Sequence, residues 1–216
     1  MRTSARMAIG ILAYGSLLDE PGDELADRVV RCIGGFETPF AVEFARKSTT
    51  RDDAPTLVPV NDGGAQIRAS VLVLREDVSE RDARDLLFDR ETRGRGGTHP
   101  NRGDVSWIKA LAPFGGVELC LYTALPANVD PLTAGHLAEL AITSASGPAG
   151  RTRHDGVSYL EQQKRRGTRT PLMPAYEAEV LARTGATNLG DAWPAPAPRS
   201  ATSNRAVARR TSRRAS

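Results

Sequence analysis

The chain has 216 residues, of which 40% are hydrophobic and 25% charged, with a formal net charge of +3. That composition supports a buried core and excludes a wholly disordered chain, and no apolar run approaches the roughly 20 residues of a membrane span. Two cysteines, Cys32 and Cys120, and three scattered histidines, His99, His136 and His154, argue against a disulfide framework and a zinc signature, so reduced thiols in a cytoplasmic protein are expected.

Arg2 and Arg6 before the apolar stretch 7–18 imitate the start of a signal peptide. Asp19-Glu20-Pro21 follows, rather than a small-x-small cleavage site, so the stretch reads as a first strand over 9–14, with Met7 as an alternative start. This strand ends in Tyr14-Gly15-Ser16-Leu17. One reading is an ordinary strand end with a turn. The other is a loop whose successive N–H groups form an anion-holding concavity, with Gly15 letting a ligand approach the backbone and Ser16 adding a hydroxyl.

Residues 24–29 make at most a helical turn after Pro21-Gly22. "VVRCIGG" (29–35) and "FAVEFAR" (40–46) read as short strands. "TLVPV" (56–60) follows, then a turn at Asn61-Asp62-Gly63-Gly64 and a strand, "QIRASVLVL" (66–74). Closely spaced strands with Gly and Pro between them suggest a curled sheet or small barrel. Ser79, with Asp82 three residues on, then starts a helix through "ERDARDLLFDRETR", which the glycines at 94, 96 and 97 would end. "VSWIKAL" (105–111) and "VELCLYTAL" (117–125) read as two more strands, joined at 113–116. A helix is predicted from 131 to about 144, with Asp130 as N-cap and Pro131 as its first residue. "YLEQQKRR" (159–166) and "PAYEAEVLART" (174–184) complete a helical C-terminal third. The fold class is therefore α+β, or mixed α/β: a curled, mostly antiparallel sheet or small barrel with flanking helices.

Residues 1–193 read as a single domain. From Trp193 on, "WPAPAPRSATSN" is linker chemistry, and 194–216 read as a disordered Pro/Ala- and Arg-rich tail. The six arginines of 199–216 stand among no acids, so residues 1–198 alone sum to −3. Such a tail either touches nucleic acid or an anionic membrane, or is simply solvated; it carries no aromatics for base stacking, which favours the second reading. Trp107 and Trp193 read as packing residues.

The central helix carries the most informative residue. Ala83 and Leu87 share a helical face, and the next place on that face is Glu91, where an amphipathic helix should hold a leucine. Asp85, Asp89 and Arg93 share another face, which can be solvated and ion-paired. A carboxylate on an apolar face loses hydration, which raises its pKa and suits it to take and return a proton near neutral pH. The alternatives are that Glu91 frays outward at the helix end or pairs with a buried arginine. Arg46 either ends its strand as an exposed charge or pairs with a substrate carboxylate.

Taken together, "AYGSLL" on the first strand, "DRE" in the helix and Gly-Gly close behind it resemble the gamma-glutamylcyclotransferase superfamily, most closely its ChaC-type branch, with its YGSL loop and Arg-Glu pair. "LYTALPANVDPL" (121–132) is similar to the branch's Tyr-x-Ala-x-Pro-x-Asn stretch, and "SGPAG" (146–150) followed by Tyr159-Leu160 to its Gly-Pro-Ser-Gly and Tyr-Leu stretch. The resemblance covers about 8–185 in order. Three departures leave the substrate open: Thr98-His99-Pro100 stands where the branch has a tyrosine after Gly-Gly, "STTRDDAPTL" replaces its His-Arg-Gly motif, and "RTRHDGVS" (151–158) is inserted.

The resemblance implies an enzyme that needs no metal and no cofactor. It would release 5-oxoproline from a small gamma-glutamyl peptide or amine, glutathione among the candidates, or from a gamma-glutamyl-protected biosynthetic intermediate. Glu91 then matches the acid–base position, and Tyr14, Gly15, Ser16 and Leu17 the substrate cradle. Tyr122, ending a strand, either reaches the pocket with its hydroxyl or is a half-buried strand tyrosine. The rival from another class is a non-catalytic binding protein on the same fold. Nothing in the sequence sets the oligomeric state.

Overall fold

The computed structural model describes residues 7–93 and 104–192. Five strands form a mixed sheet in the order β2-β5-β1-β7-β6, from β1 (Ile9–Ala13), β2 (Val29–Glu37), β5 (Arg68–Leu74), β6 (Ile108–Leu111) and β7 (Leu119–Thr123). β3 (Val42–Ser48) and β4 (Ala54–Pro59) pair antiparallel as a separate two-stranded sheet. All pairings are antiparallel except β1 with β7.

The central position of β1 explains its unbroken apolar run. Successive side chains of a strand point to opposite faces, so a strand covered on both sides has no place for polar residues. Leu12 joins Val71, Val73 and Cys120 in one core, while Ile9, Ile11 and Ala13 join Leu72, Leu74 and Leu121 in the other. The second core is closed by α2 (Glu80–Thr92), through Ala83, Leu87 and Phe88. Burying Leu87 completely contributes about 2 kcal/mol by transfer from water. The first core is closed by the β3–β4 hairpin and by α3 (Ala134–Ser146), α5 (Gly156–Arg165) and α6 (Met173–Thr184). Two short helices, α1 (Asp23–Ala26) and α4 (Pro148–Arg151), complete the set.

The α+β class and the mostly antiparallel sheet hold, but the described strands close no barrel: β2 and β6 are edges. Because helices cover both faces, the sheet has no need to close on itself. Its curl comes instead from register shifts in β2, between Val29 and Arg31 and between Ile33 and Phe36.

Several boundaries differ from expectation. Ser79 and Asp82 do form a reciprocal capping box at the start of α2. The helix ends at Arg93, which adopts the left-handed conformation itself (φ 51°), and the glycines at 94, 96 and 97 lie outside the described residues. α3 starts later than expected, at Ala134, because Thr133 rather than Asp130 accepts a first-turn N–H, from His136 at 3.3 Å. In "VSWIKAL" only 108–111 are strand. Cys32 lies exposed on the edge strand β2 rather than in apolar surroundings, whereas Cys120 is buried. Trp107 packs on Phe88, ring centroids 5.8 Å apart. Trp193, the 194–216 tail and Thr98-His99-Pro100 lie outside the described residues. No helix among the described residues is long and apolar enough to cross a membrane.

Candidate active site

β1 ends at a point where the chain turns into a single 3-10 turn, Gly15–Leu18, against the side of α2. Gly15 has φ +55°, a conformation that side chains resist. A Cβ there would stand 2.9 Å from the Tyr159 hydroxyl, so the absent side chain makes room for Tyr159. Tyr14 is buried and donates its hydroxyl hydrogen to the Thr123 carbonyl at 2.6 Å, which ties the end of β1 to the end of β7. Burial pushes its pKa far above the ordinary tyrosine value, and the charge of Glu91 pushes it further, so Tyr14 remains a donor. Leu17 is buried, and its N–H bonds back to the Tyr14 carbonyl at 3.2 Å.

The carboxylate of Glu91 is held at the far end of α2, its side chain 12% exposed. The neighbouring Arg90 reaches several groups at once. Its Nη1 donates to Glu91 Oε1 at 2.7 Å and its Nη2 to Ser16 Oγ at 3.0 Å. Its Nε and Nη2 also donate to the Glu20 carbonyl, at 3.2 and 3.1 Å. The planar fork of an arginine suits such multiple bonding, because its donors diverge at fixed angles. The two motifs that stand far apart in the sequence, the turn after β1 and the Arg-Glu pair, thus meet through one guanidinium.

They meet on the wall of a cavity of about 1010 Å³, lined by Tyr14, Ser16 and Leu17 among others. Arg46, Lys47 and Arg51 from the β3–β4 hairpin and Asp89, Arg90 and Glu91 from α2 also line it, so its walls carry both signs of charge. Such a cavity suits a ligand that bears both a carboxylate and an amine. Arg46 donates to the Pro126 carbonyl at 2.7 Å. Gly15 is not among the lining residues, although its neighbours on both sides are.

Tyr122 is not among the lining residues either. Its ring stacks on Phe40, centroids 4.6 Å apart, and packs with the first core. Alternation along β7 accounts for this: Thr123, the next residue, is the one that lines the cavity. Burial raises the Tyr122 pKa.

Three residues that the sequence does not single out belong to the same region. Arg51 is 4% exposed and lies over the Tyr159 ring, 4.8 Å from its centroid. Its Nη2 stands 3.4 Å from Glu20 Oε1. Burial lowers the Arg51 pKa, and Glu20 partly restores it. Glu20 Oε1 also stands 3.5 Å from Nδ1 of His154, whose Nε2 stands 2.9 Å from Nη2 of Arg93. Arg93 thus leaves the face it would share with Asp85 and Asp89 and reaches the inserted segment instead. Tyr159, fully enclosed, has its pKa pushed up to about 12 by burial, with Arg51 opposing.

Elsewhere Glu43 is completely buried, accepting from Thr170 Oγ1 at 2.6 Å, the Leu172 N–H at 3.0 Å and the Phe44 N–H at 2.8 Å. It fastens β3 to the loop before α6, a structural duty. Among the described residues no group of three His, Cys, Asp or Glu side chains is placed to hold a metal ion. Comparison of the chain with protein-family models and with curated proteins gives no match to either.

Proposed function

We propose that the chain is a gamma-glutamylcyclotransferase that releases 5-oxoproline from a small gamma-glutamyl compound by intramolecular aminolysis. The observation that carries this reading is the Arg90 bridge, which joins Glu91 to Ser16 on the wall of a cavity lined by both signs of charge.

The reaction needs three things. The α-amine of the glutamyl group must lose a proton, attack the γ-carbonyl carbon and close a five-membered ring. The carbon–nitrogen bond to the leaving amine must then break, and the leaving nitrogen must gain a proton. One carboxylate can take the first proton and return it to the leaving nitrogen, a role worth typically 10²–10⁴-fold. Glu91 is the group suited to it, since Arg90 fixes its orientation. Arg90 and the Ser16 hydroxyl then face the substrate's charged groups, and the remaining rate enhancement comes from holding the chain folded back on itself, with its charged ends paired.

A cavity of about 1010 Å³ is at the upper end of the range usual for small-molecule sites. That size favours, within the same reaction, a leaving half larger than a simple amine, as in a gamma-glutamyl-protected biosynthetic intermediate. Incubating the full chain with a panel of gamma-glutamyl compounds, while assaying both 5-oxoproline and the released amine, tests the reading. Release from at least one compound is expected. Specific binding of such compounds without any release would favour the non-catalytic alternative.

A further inference from the structure

Behind the Glu20–Arg51 pair lies a second cavity, of about 370 Å³. Both residues line both cavities, so the pair forms the partition between them. The second cavity is rich in guanidinium groups: Arg51, Arg153, Arg165 and Arg166 line it, against Glu20 and Glu161. Glu161 pairs with Arg165, and Arg166 pairs with Asp19.

Two features point to an anion. Arg51 is nearly fully buried, yet its carboxylate partner stands at 3.4 Å and is shared with His154. A charge-assisted bond is normally about 2.7–2.9 Å, so Arg51 has lost its water for a long contact with a shared partner. Burial is also the largest influence on its pKa, in the direction that disfavours the charge. The second feature is Arg153, which holds φ +59° in the loop between α4 and α5. A long side chain in that region is uncommon, and strain of this kind persists mainly where a site requires it. Arg153 belongs to the inserted segment 151–158, so the cavity wall is built in part by what sets this chain apart from the family it resembles.

The second cavity is also close to the reacting groups. The Glu20 carbonyl accepts from Arg90, which holds Glu91, while the Glu20 side chain meets Arg51. One residue therefore links the Arg90–Glu91 pair to the partition.

We propose that this second cavity is an oxyanion subsite, in which Arg51 and Arg153 hold a carboxylate carried on the leaving half of the substrate. The inference rests on the cyclotransferase reading, since that reaction divides the substrate into a glutamyl half and a leaving half. The bond that breaks is unchanged; the subsite binds the half that departs with the proton returned by Glu91.

The test compares gamma-glutamylglycine, whose leaving half bears a carboxylate, with gamma-glutamylethylamide, whose leaving half does not. Each is assayed with the full chain and with Arg153→Gly, and N-acetylglycine is titrated into both proteins by calorimetry. Glycine accepts a positive φ readily, so the variant should keep its fold, and a melting curve verifies this. The expected result is a kcat/KM roughly tenfold higher for gamma-glutamylglycine in the parent, the scale of one charge-assisted hydrogen bond, and little preference in the variant. N-acetylglycine should bind the parent and bind Arg153→Gly roughly tenfold more weakly. An equal preference in both proteins, or N-acetylglycine binding that ignores Arg153→Gly, overturns the proposal. If neither compound yields 5-oxoproline, the cyclotransferase reading fails on these substrates, while the N-acetylglycine titration still decides the anion subsite.

Discussion

Arg90 Nη2 stands 3.0 Å from Ser16 Oγ, a hydrogen bond across 74 residues of sequence. It makes the conformation of the turn after β1 depend on the same guanidinium that orients Glu91. Arg90→Lys keeps the charge but offers one compact ammonium in place of a diverging fork, so it cannot serve Glu91, Ser16 and the Glu20 carbonyl together. Turnover should fall by about 10-fold or more, since a misplaced acid–base group loses its geometry. Steady-state kinetics of 5-oxoproline release should show the loss mainly in kcat. Ser16→Ala, which removes only one acceptor, should cost less.

Gly15→Ala should destabilise the fold. The positive φ and the 2.9 Å approach of Tyr159 Oη to the added Cβ both oppose it, at a combined cost of about 1–3 kcal/mol. Thermal unfolding of the variant measures this. Adding Tyr159→Phe removes the nearest atom, so the double variant should recover part of the loss; strictly additive effects would show that Tyr159 is not the obstacle.

His154 gives a pH dependence with a definite sign. Its pKa is lowered from 6.5, first by burial and then by Arg51, with Arg93 acting in the same direction and Glu20 and Asp155 opposing. The Arg93 donor at Nε2 requires a neutral ring with its proton on Nδ1, toward Glu20. The unfolded chain therefore binds the histidine proton more readily than the folded one. The stabilising contribution is full above about pH 6.5 and is lost as pH falls through the lower folded value. His154→Gln should flatten that part of the stability profile, as followed by melting curves from pH 7.5 to about 5. A variant whose profile matches the parent's would show that other groups control it.

Much of the frame was legible because local rules decide it. The apolar run of β1 required cover on both faces, and Ser79 with Asp82 marked the start of α2 through a cap that spans one turn. Glu91 interrupted the Ala83–Leu87 face, and that single misplaced carboxylate located the cavity wall. The start of α3 was misread because Pro131 is a strong helix-start signal, while Thr133 wins by accepting the His136 N–H. Tyr122 was placed on the right strand, but which face of β7 meets the cavity depends on how α2 and the β3–β4 hairpin pack around it. The Glu20, Arg51 and His154 cluster had no local signal at all, since its members come from the turn before α1, the β3–β4 hairpin and the inserted segment. Only the packed chain brings them together.

Glu91→Gln is the most direct measurement of the central claim. Glutamine keeps the size and still offers an oxygen to Arg90 Nη1, but it cannot take the amine's proton. Stability should therefore stay within about 1 kcal/mol of the parent, the usual worth of one hydrogen bond, while 5-oxoproline release falls by about 10²-fold or more with little change in substrate affinity. Both quantities should be read on the same preparation, by turnover assay and melting curve. An inactive protein of unchanged stability is the predicted result. A protein that melts early but keeps its turnover would contradict the account, because Glu91 would then be only the partner of Arg90.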